Sequence, residues 1–476
     1  MGAGRMTEVQ LDDAAGPAAP ARAAEPERAR RARARALLRR WWPVPAALAA
    51  AGVAVVAWQL AADARAEDVA ERLRATPGVI GSTVDADLDV VPVESVELSA
   101  VLSNGYRTET GFVAGLLLEG PGPAASVVGV DPQRGVEQWR VEVAPEARGL
   151  TTRDGSCGTA VDGPARTLWC VVTDSRALDG TPAATRLVEV DVVDGTIRGE
   201  RALTPGATAA AVEDVLAVAT SGDAGVRVVG QDARTGEERW TAQVPGRAAL
   251  AYGTGWLRRE GGHLLVTAES ATWAVDPGTG EVRAGGAGVA VVRGGRLVDV
   301  QGSSRTLLLG EDGTGSGVAD GQPALAGPDD GSAPDVLVVD VADGSLVGLT
   351  RGVDATSGEP LWERPSDGMS RTNRLLLDGV LYGSSSTSLW AVDVRTGDEL
   401  WTAEGDPLDG FRLMTDGRQL LRVERDPASG DPRLAAYDLG SGRPAWRTPL
   451  PDGVESVWTS SGTLYGQDDD AVVLLR

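Results

Sequence analysis

The residues of this chain that are able to do chemistry are few, and their spacing limits what they can do. A single histidine, His263, follows Gly261-Gly262 and opens the apolar run HLLVTA, which places it at the edge of a strand and gives a general base no partner. The two cysteines, Cys157 and Cys170, stand 13 positions apart on either side of Asp162-Gly163-Pro164. With one histidine and two separated thiols there is no zinc site of ordinary spacing. The acidic run Asp468-Asp469-Asp470 reads as a solvated turn between two strands rather than a calcium loop. The glycine-rich stretch Gly313 to Gly317 lacks the strand, helix and lysine of a phosphate loop. Catalytic, cofactor-binding and metal-binding residues are therefore expected to be none.

What recurs instead is an aspartate followed by glycine four residues later and tryptophan four after that. Five copies are complete: Asp131/Gly135/Trp139, Asp232/Gly236/Trp240, Asp354/Gly358/Trp362, Asp393/Gly397/Trp401 and Asp438/Gly442/Trp446. Three more, Asp191/Gly195, Asp276/Gly280 and Asp340/Gly344, lack the tryptophan. Alternating apolar residues before each aspartate form a strand. The aspartate then accepts hydrogen bonds from turn amides, and the glycine takes the positive φ that other residues avoid. A second strand starts at once and carries the indole, so each copy is a β-hairpin. These aspartates are structural, one per turn. From Asp191 to Asp232 to Asp276, and from Asp354 to Asp393 to Asp438, the copies lie 39 to 45 residues apart, one four-stranded unit each, with 78 residues from Asp276 to Asp354, room for two, and such units must stack to bury their faces. Radial stacking, with tryptophan filling each wedge, makes an all-β propeller of about eight four-stranded blades, seven and nine being the alternatives.

The repeat resembles that of the pyrroloquinoline-quinone-like propeller family, whose consensus reads Ala-x-Asp-x-x-Thr-Gly-x-x-x-Trp, over roughly residues 95 to 476. Some members of that family are quinone- and calcium-dependent dehydrogenases, and the resemblance raises that activity here. Those enzymes carry an adjacent cysteine pair and a calcium site built from Glu, Asn and Asp. This chain has no adjacent pair, and its only asparagines, Asn104 and Asn373, lie in no matching motif, so neither cofactor nor catalysis is expected. Non-catalytic relatives include the propeller subunit of the bacterial outer-membrane barrel-assembly machinery, which acts by protein contact.

Ahead of the propeller, Pro43 to Ala62 reads PVPAALAAAGVAVVAWQLAA, uncharged and with Gln59 as its one polar side chain. At 1.5 Å per residue it is long enough to cross a bilayer. Arginines crowd its N-terminal flank, with Trp41 and Trp42 at the interface and Asp63, Glu67 and Asp68 beyond it. That asymmetry puts the N-terminus in the cytoplasm and the rest outside. The expected organisation is a disordered basic tail over 1–40, a transmembrane helix over 41–62, a helical stalk over 63–78 and the propeller over 79–476. Cleavage after Ala66 within Ala64-Arg65-Ala66 is the competing reading. In the oxidising exterior, Cys157 and Cys170 are expected to pair across a hairpin, a free buried pair being the alternative.

Charge excludes one class of partner. Residues 1–62 hold nine arginines against five acidic residues, and the remainder holds 36 against 63, a net near -27 that repels nucleic acid. The functional expectation is a non-enzymatic, membrane-tethered module in the bacterial cell envelope that binds a protein or peptide on a propeller face. A quinone-dependent dehydrogenase and a ligand-sensing ectodomain are the alternatives. Residues 86 to 102 are expected to supply the strand that closes the last blade, and the segment from Gly310 to Asp335 to be a flexible loop.

Overall fold

The computed structural model describes residues 43–119, 124–145, 151–161, 163–176, 180–248, 256–302, 304–310, 312–324, 327–341, 348–366, 374–407, 412–468 and 471–476. The expected tail over 1–40 and the interfacial Trp41 and Trp42 lie outside them. The chain divides into two units, residues 1–66 and residues 67–476.

In the second unit, nine antiparallel sheets of four strands follow one another along the chain. Blades 1 to 8 each take four consecutive strands, from Tyr106–Arg107 in blade 1 to Pro444–Pro449 in blade 8. Blade 9 takes its first three from Val454–Ser460, Thr463–Asp468 and Ala471–Leu475. Its fourth is Val90–Pro92, from the other end of the chain, paired through Val90 with Leu475 and Pro92 with Val473. The two ends thus share one sheet, and the edge of the Ala471–Leu475 strand is covered by Val90–Pro92.

The count of nine replaces the expected eight. Blade 5, built from Val289–Val292, Arg296–Gln301, Arg305–Leu309 and Gly315–Asp320, carries no Asp-Gly-Trp signature to count. Its last strand, Gly315–Asp320, and the Gln322–Pro323 strand that opens blade 6 both lie within the segment expected to be a loop. Glycine is required there by packing rather than by flexibility: a Cβ at Gly317 would overlap the Ser357 backbone of blade 6. Asp340 also departs from expectation. It lies inside the second strand of blade 6, Val336–Val341, and pairs with Arg374 at 2.7 Å; Gly344 falls outside the described residues.

The closing strand is shorter than expected because Ser95 interrupts it. The Ser95 hydroxyl accepts the Leu98 amide at 3.3 Å and starts a helix over Val96–Asn104. Leu98, Val101 and Leu102 bury that helix against Val113 and Val128 of blade 1 and Leu474 of blade 9.

The first helix runs from Pro43 to Arg74, and its end belongs to the propeller unit. Ala70 and Leu73 are buried, Leu73 against Leu375, Leu377 and Leu420. The helix stops ahead of Pro77-Gly78, where Gly78 takes φ +89°. Residues 79–84 then form a strap across the turns that join the first two strands of blades 8 and 9. Ile80 donates to the Thr415 carbonyl, Gly81 to Gly462 at 2.8 Å and Val84 to the Asp416 carboxylate. Among the described residues no helix is long and apolar enough to cross a membrane.

Candidate functional site

The repeated aspartates close the turns between third and fourth strands. Oδ1 of Asp354 accepts the amides of Thr356 and Ser357, and Oδ1 of Asp393 those of Arg395 and Thr396. In all five complete copies the glycine amide, that of Gly135, Gly236, Gly358, Gly397 or Gly442, returns to the aspartate carbonyl, with glycine φ between +66° and +78°. These bonds favour the ionised form, so the Asp354 carboxyl is held below the ordinary carboxylate range.

The tryptophan of a copy does not join its own aspartate and glycine; it crosses to the next blade. Trp139 lies over Gly195, Trp240 over Gly280, Trp362 over Gly397 and Trp401 over Gly442, each glycine in the following turn. The Trp240 indole N–H donates to the Pro277 carbonyl and that of Trp362 to Val394, both at 2.7 Å, and that of Trp401 to Leu439 at 3.2 Å. Each acceptor is the residue after the aspartate of the receiving turn. On its own blade the indole faces a small residue two positions before the aspartate: Gly129, Gly230, Gly352, Ala391 or Ala436. That residue was readable in GVD, GQD, GVD, AVD and AYD, since only a small side chain leaves room for a ring on the opposite strand.

Tryptophan does not fill every wedge, which corrects the expectation drawn from the repeat. Gly135 is the first exception: it closes the blade 1 turn as expected but receives no indole. A Cβ there would come 3.0 Å from the Val93 Cα and 3.1 Å from the Pro92 carbonyl, and the Gly135 carbonyl accepts the Glu94 amide at 2.9 Å. The reason is the ring closure. The blade before Gly135 is blade 9, whose last strand is the N-terminal Val90–Pro92, and that strand carries no tryptophan. Gly358 and Gly236 are the other exceptions. The Val318 carbonyl of blade 5 sits on Gly358, and Arg201 of blade 2 reaches Gln231 beside the Gly236 turn at 2.9 Å. In blade 5, which lacks the signature, the Arg283 carbonyl of blade 4 sits on Gly313.

The other candidates also hold the structure together. Cys157 and Cys170 face each other on neighbouring strands of blade 2 and are disulfide-bonded. His263 Nε2 lies 2.7 Å from the Gly295 carbonyl, linking blade 4 to blade 5. Asn104 donates to the Ala100 carbonyl within its helix, and Asn373, Asp469 and Asp470 lie outside the described residues. No group of three metal-ligating side chains occurs among the described residues.

Between blades 7 and 8 lies a buried charged cluster that the sequence did not reveal. Arg422 and Glu424 are both fully buried and paired at 2.7 Å. The Tyr437 hydroxyl donates to Glu424 at 2.5 Å, and Arg422 reaches Ser384 of blade 7 at 3.1 Å. Burial, then the Glu424 carboxylate, push the Tyr437 phenol up to about 12. These groups are engaged with one another within the blade contact.

A cleft of about 560 Å³ opens where the ring closes. The strap brings Ser82 and Thr83 to it, blade 1 brings Arg107, Phe112 and the Asp131 turn, and blade 9 brings Thr463 and Arg476. The Arg107 side chain lies over Gly81 and Gly462, whose backbones bond to each other. Exposed, it makes no side-chain hydrogen bond or ion pair among the described residues. None of these residues forms a motif, because they converge from both ends of the chain.

Nine four-stranded blades, with indole-to-turn sockets at four of their contacts, define a propeller of pyrroloquinoline-quinone-like repeats. The chain belongs to the family described as outer membrane protein assembly factor BamB, whose pattern it matches over residues 123–403 and 273–475. No curated protein matches it. Among solved structures it is similar to BamB from Moraxella catarrhalis, at 15% identity over 83% of this chain and 97% of that one, with a TM-score of 0.33. It is also similar to the quinohemoprotein alcohol dehydrogenase of Comamonas testosteroni, at 13% identity over 86% and 83%, TM-score 0.36. The dihydro-heme d1 dehydrogenase NirN is similar at 15% identity over 80% and 81%, TM-score 0.36. Resemblances of this size assign neither substrate nor partner.

Proposed function

We propose that this protein is a non-enzymatic binding or scaffold module, tethered to the cytoplasmic membrane with its propeller outside. The observation that carries the reading is that the repeat's chemistry-bearing side chains are spent on joining blades, which leaves surfaces as what the fold has to offer a partner. Membership of a family described as an assembly factor supports a role by protein contact. The disulfide supports an oxidising compartment. Val53, Val56, Trp58 and Leu60 on the first helix are all more than half exposed, an apolar surface that suits lipid and supports the tether.

Cross-linking in intact cells followed by purification from membranes tests the binding role. A discrete envelope protein held by the full chain is expected; dye-linked alcohol oxidation with a quinone absorbance band in the purified protein would sink it. Alkaline extraction tests the tether, with the chain expected to stay in the membrane pellet. A soluble product beginning at Glu67 would replace the anchor with a cleaved leader.

A further inference from the structure

The cleft at the ring closure has features that turn the general reading into a specific one. It is about 560 Å³, within the range of ordinary small-ligand sites. Its central cation is Arg107, whose guanidinium lies against the backbones of Gly81 and Gly462; a Cβ at Gly462 would come 2.9 Å from it. A guanidinium presents a planar fork that matches a carboxylate with two parallel hydrogen bonds. Around it stand the hydroxyls of Ser82, Thr83 and Thr463, the amide of Gln133 and the half-buried ring of Phe112. Arg476 is a second cation at the cleft, but the charges beyond it are predominantly acidic and argue against a multiply charged anion. The chain beyond residue 62 carries a net charge near -27, and the Asp131 carboxylate lies at the cleft itself.

We infer that this cleft binds a peptide carboxylate, with the Arg107 guanidinium pairing to it, the hydroxyls and Gln133 serving the adjoining backbone, and Phe112 taking an apolar side chain. The carboxylate belongs either to a chain terminus or to a glutamate or aspartate side chain. This inference rests on the binding role proposed above and names the chemistry of what is bound. Because the cleft draws on the strap, blade 1 and blade 9, a bound peptide ties the two ends of the ring together and raises the unfolding temperature.

The test uses the full-length chain in detergent micelles and four probes: the acetylated tetrapeptide Ala-Val-Phe-Leu with a free C-terminus, the same peptide amidated, acetylated Ala-Glu-Phe-Leu amide, and inorganic phosphate. Binding is followed by the shift in melting temperature and by calorimetry. The free-terminus peptide is expected to bind and stabilise, and its amide to bind at least roughly tenfold more weakly, the loss of one charge-assisted pair. Binding of the glutamate peptide amide with equal strength shows that the site takes acidic side chains as well as termini, and binding of that peptide without the free-terminus peptide assigns it to side chains. Arg107→Gln is expected to abolish the preference for the carboxylate. Gln133→Glu, on an exposed turn, is expected to weaken binding by adding a second negative charge, and it decides the matter should Arg107→Gln fail to fold. Equal binding of acid and amide peptides, binding by phosphate alone, or indifference to both substitutions overturns the inference. A membrane partner captured from cells by a protein that binds none of the peptides leaves the binding role standing and removes only this site; peptide binding without any captured partner does the reverse.

Discussion

At the scale of single residues, the indole is the unit that joins blades. Trp362 is 9% exposed and donates to Val394, whereas Trp446 is half-buried. Trp362→Ala is expected to cost about 3–5 kcal/mol, the range for emptying a large aromatic site, and Trp446→Ala roughly 1–3 kcal/mol. Urea denaturation of the two variants checks the order. The Tyr437 phenol makes the second residue-scale prediction. Its folded value of about 12 lies above the ordinary 10, so the neutral form is favoured by folding. The contribution is complete below pH 10 and lost as the pH rises through 12. Alkaline denaturation should therefore steepen in that window for the native chain and flatten for Tyr437→Phe. The indole's position was legible from spacing alone, since a turn of fixed length fixes the offset to the next strand. What each turn glycine receives was not: Gly135 and Gly397 look alike in the repeat, yet one meets the returning N-terminal backbone and the other an indole. The Arg422–Glu424–Tyr437 cluster was equally hidden, because it depends on the pairing of two strands of blade 8 and on Arg422 meeting Ser384 of blade 7, which the Arg422-x-Glu424 spacing does not reveal.

At the scale of elements, the turn and the hairpin disulfide can each be tested alone. Gly397 has φ +74° and faces Trp362, so an alanine there meets the ring as well as the strain of a left-handed backbone. Gly430 has φ +80° with open space around its missing side chain. Gly430→Ala is expected to cost about 1–2 kcal/mol and Gly397→Ala clearly more, read from denaturation midpoints. The Cys157–Cys170 bond closes a short loop on blade 2. Its loss in a Cys157→Ala/Cys170→Ala chain is expected to cost about 2–3 kcal/mol, with chemical reduction of the native chain lowering the midpoint equally. The signature made the hairpins legible. It misled at Asp340, which lies within the second strand of blade 6 and pairs with Thr350 of the third. It was silent in blade 5, where close backbone packing does the work of the indole.

At the scale of the whole molecule, closure by Val90–Pro92 decides whether nine sheets make a ring. Removing residues 90–92 exposes the Ala471–Leu475 strand as an apolar edge. The truncated chain is expected to self-associate in size-exclusion chromatography and to unfold at lower denaturant, while Val90→Thr, which keeps the backbone bonds, stays monodisperse. The sequence by itself determined the repeat, the turn chemistry and the class of fold, and it raised the cysteine pairing and a returning N-terminal strand as expectations that the structure then bore out. All of these rest on contacts between residues close in the chain or on a pattern repeated along it. Only the tertiary structure decided the number of blades, the partner of each indole and each turn glycine, the strap over blades 8 and 9 and the cleft around Arg107. Those depend on which distant backbones meet when the ring closes, and a linear pattern carries no term for residue 81 lying against residue 462.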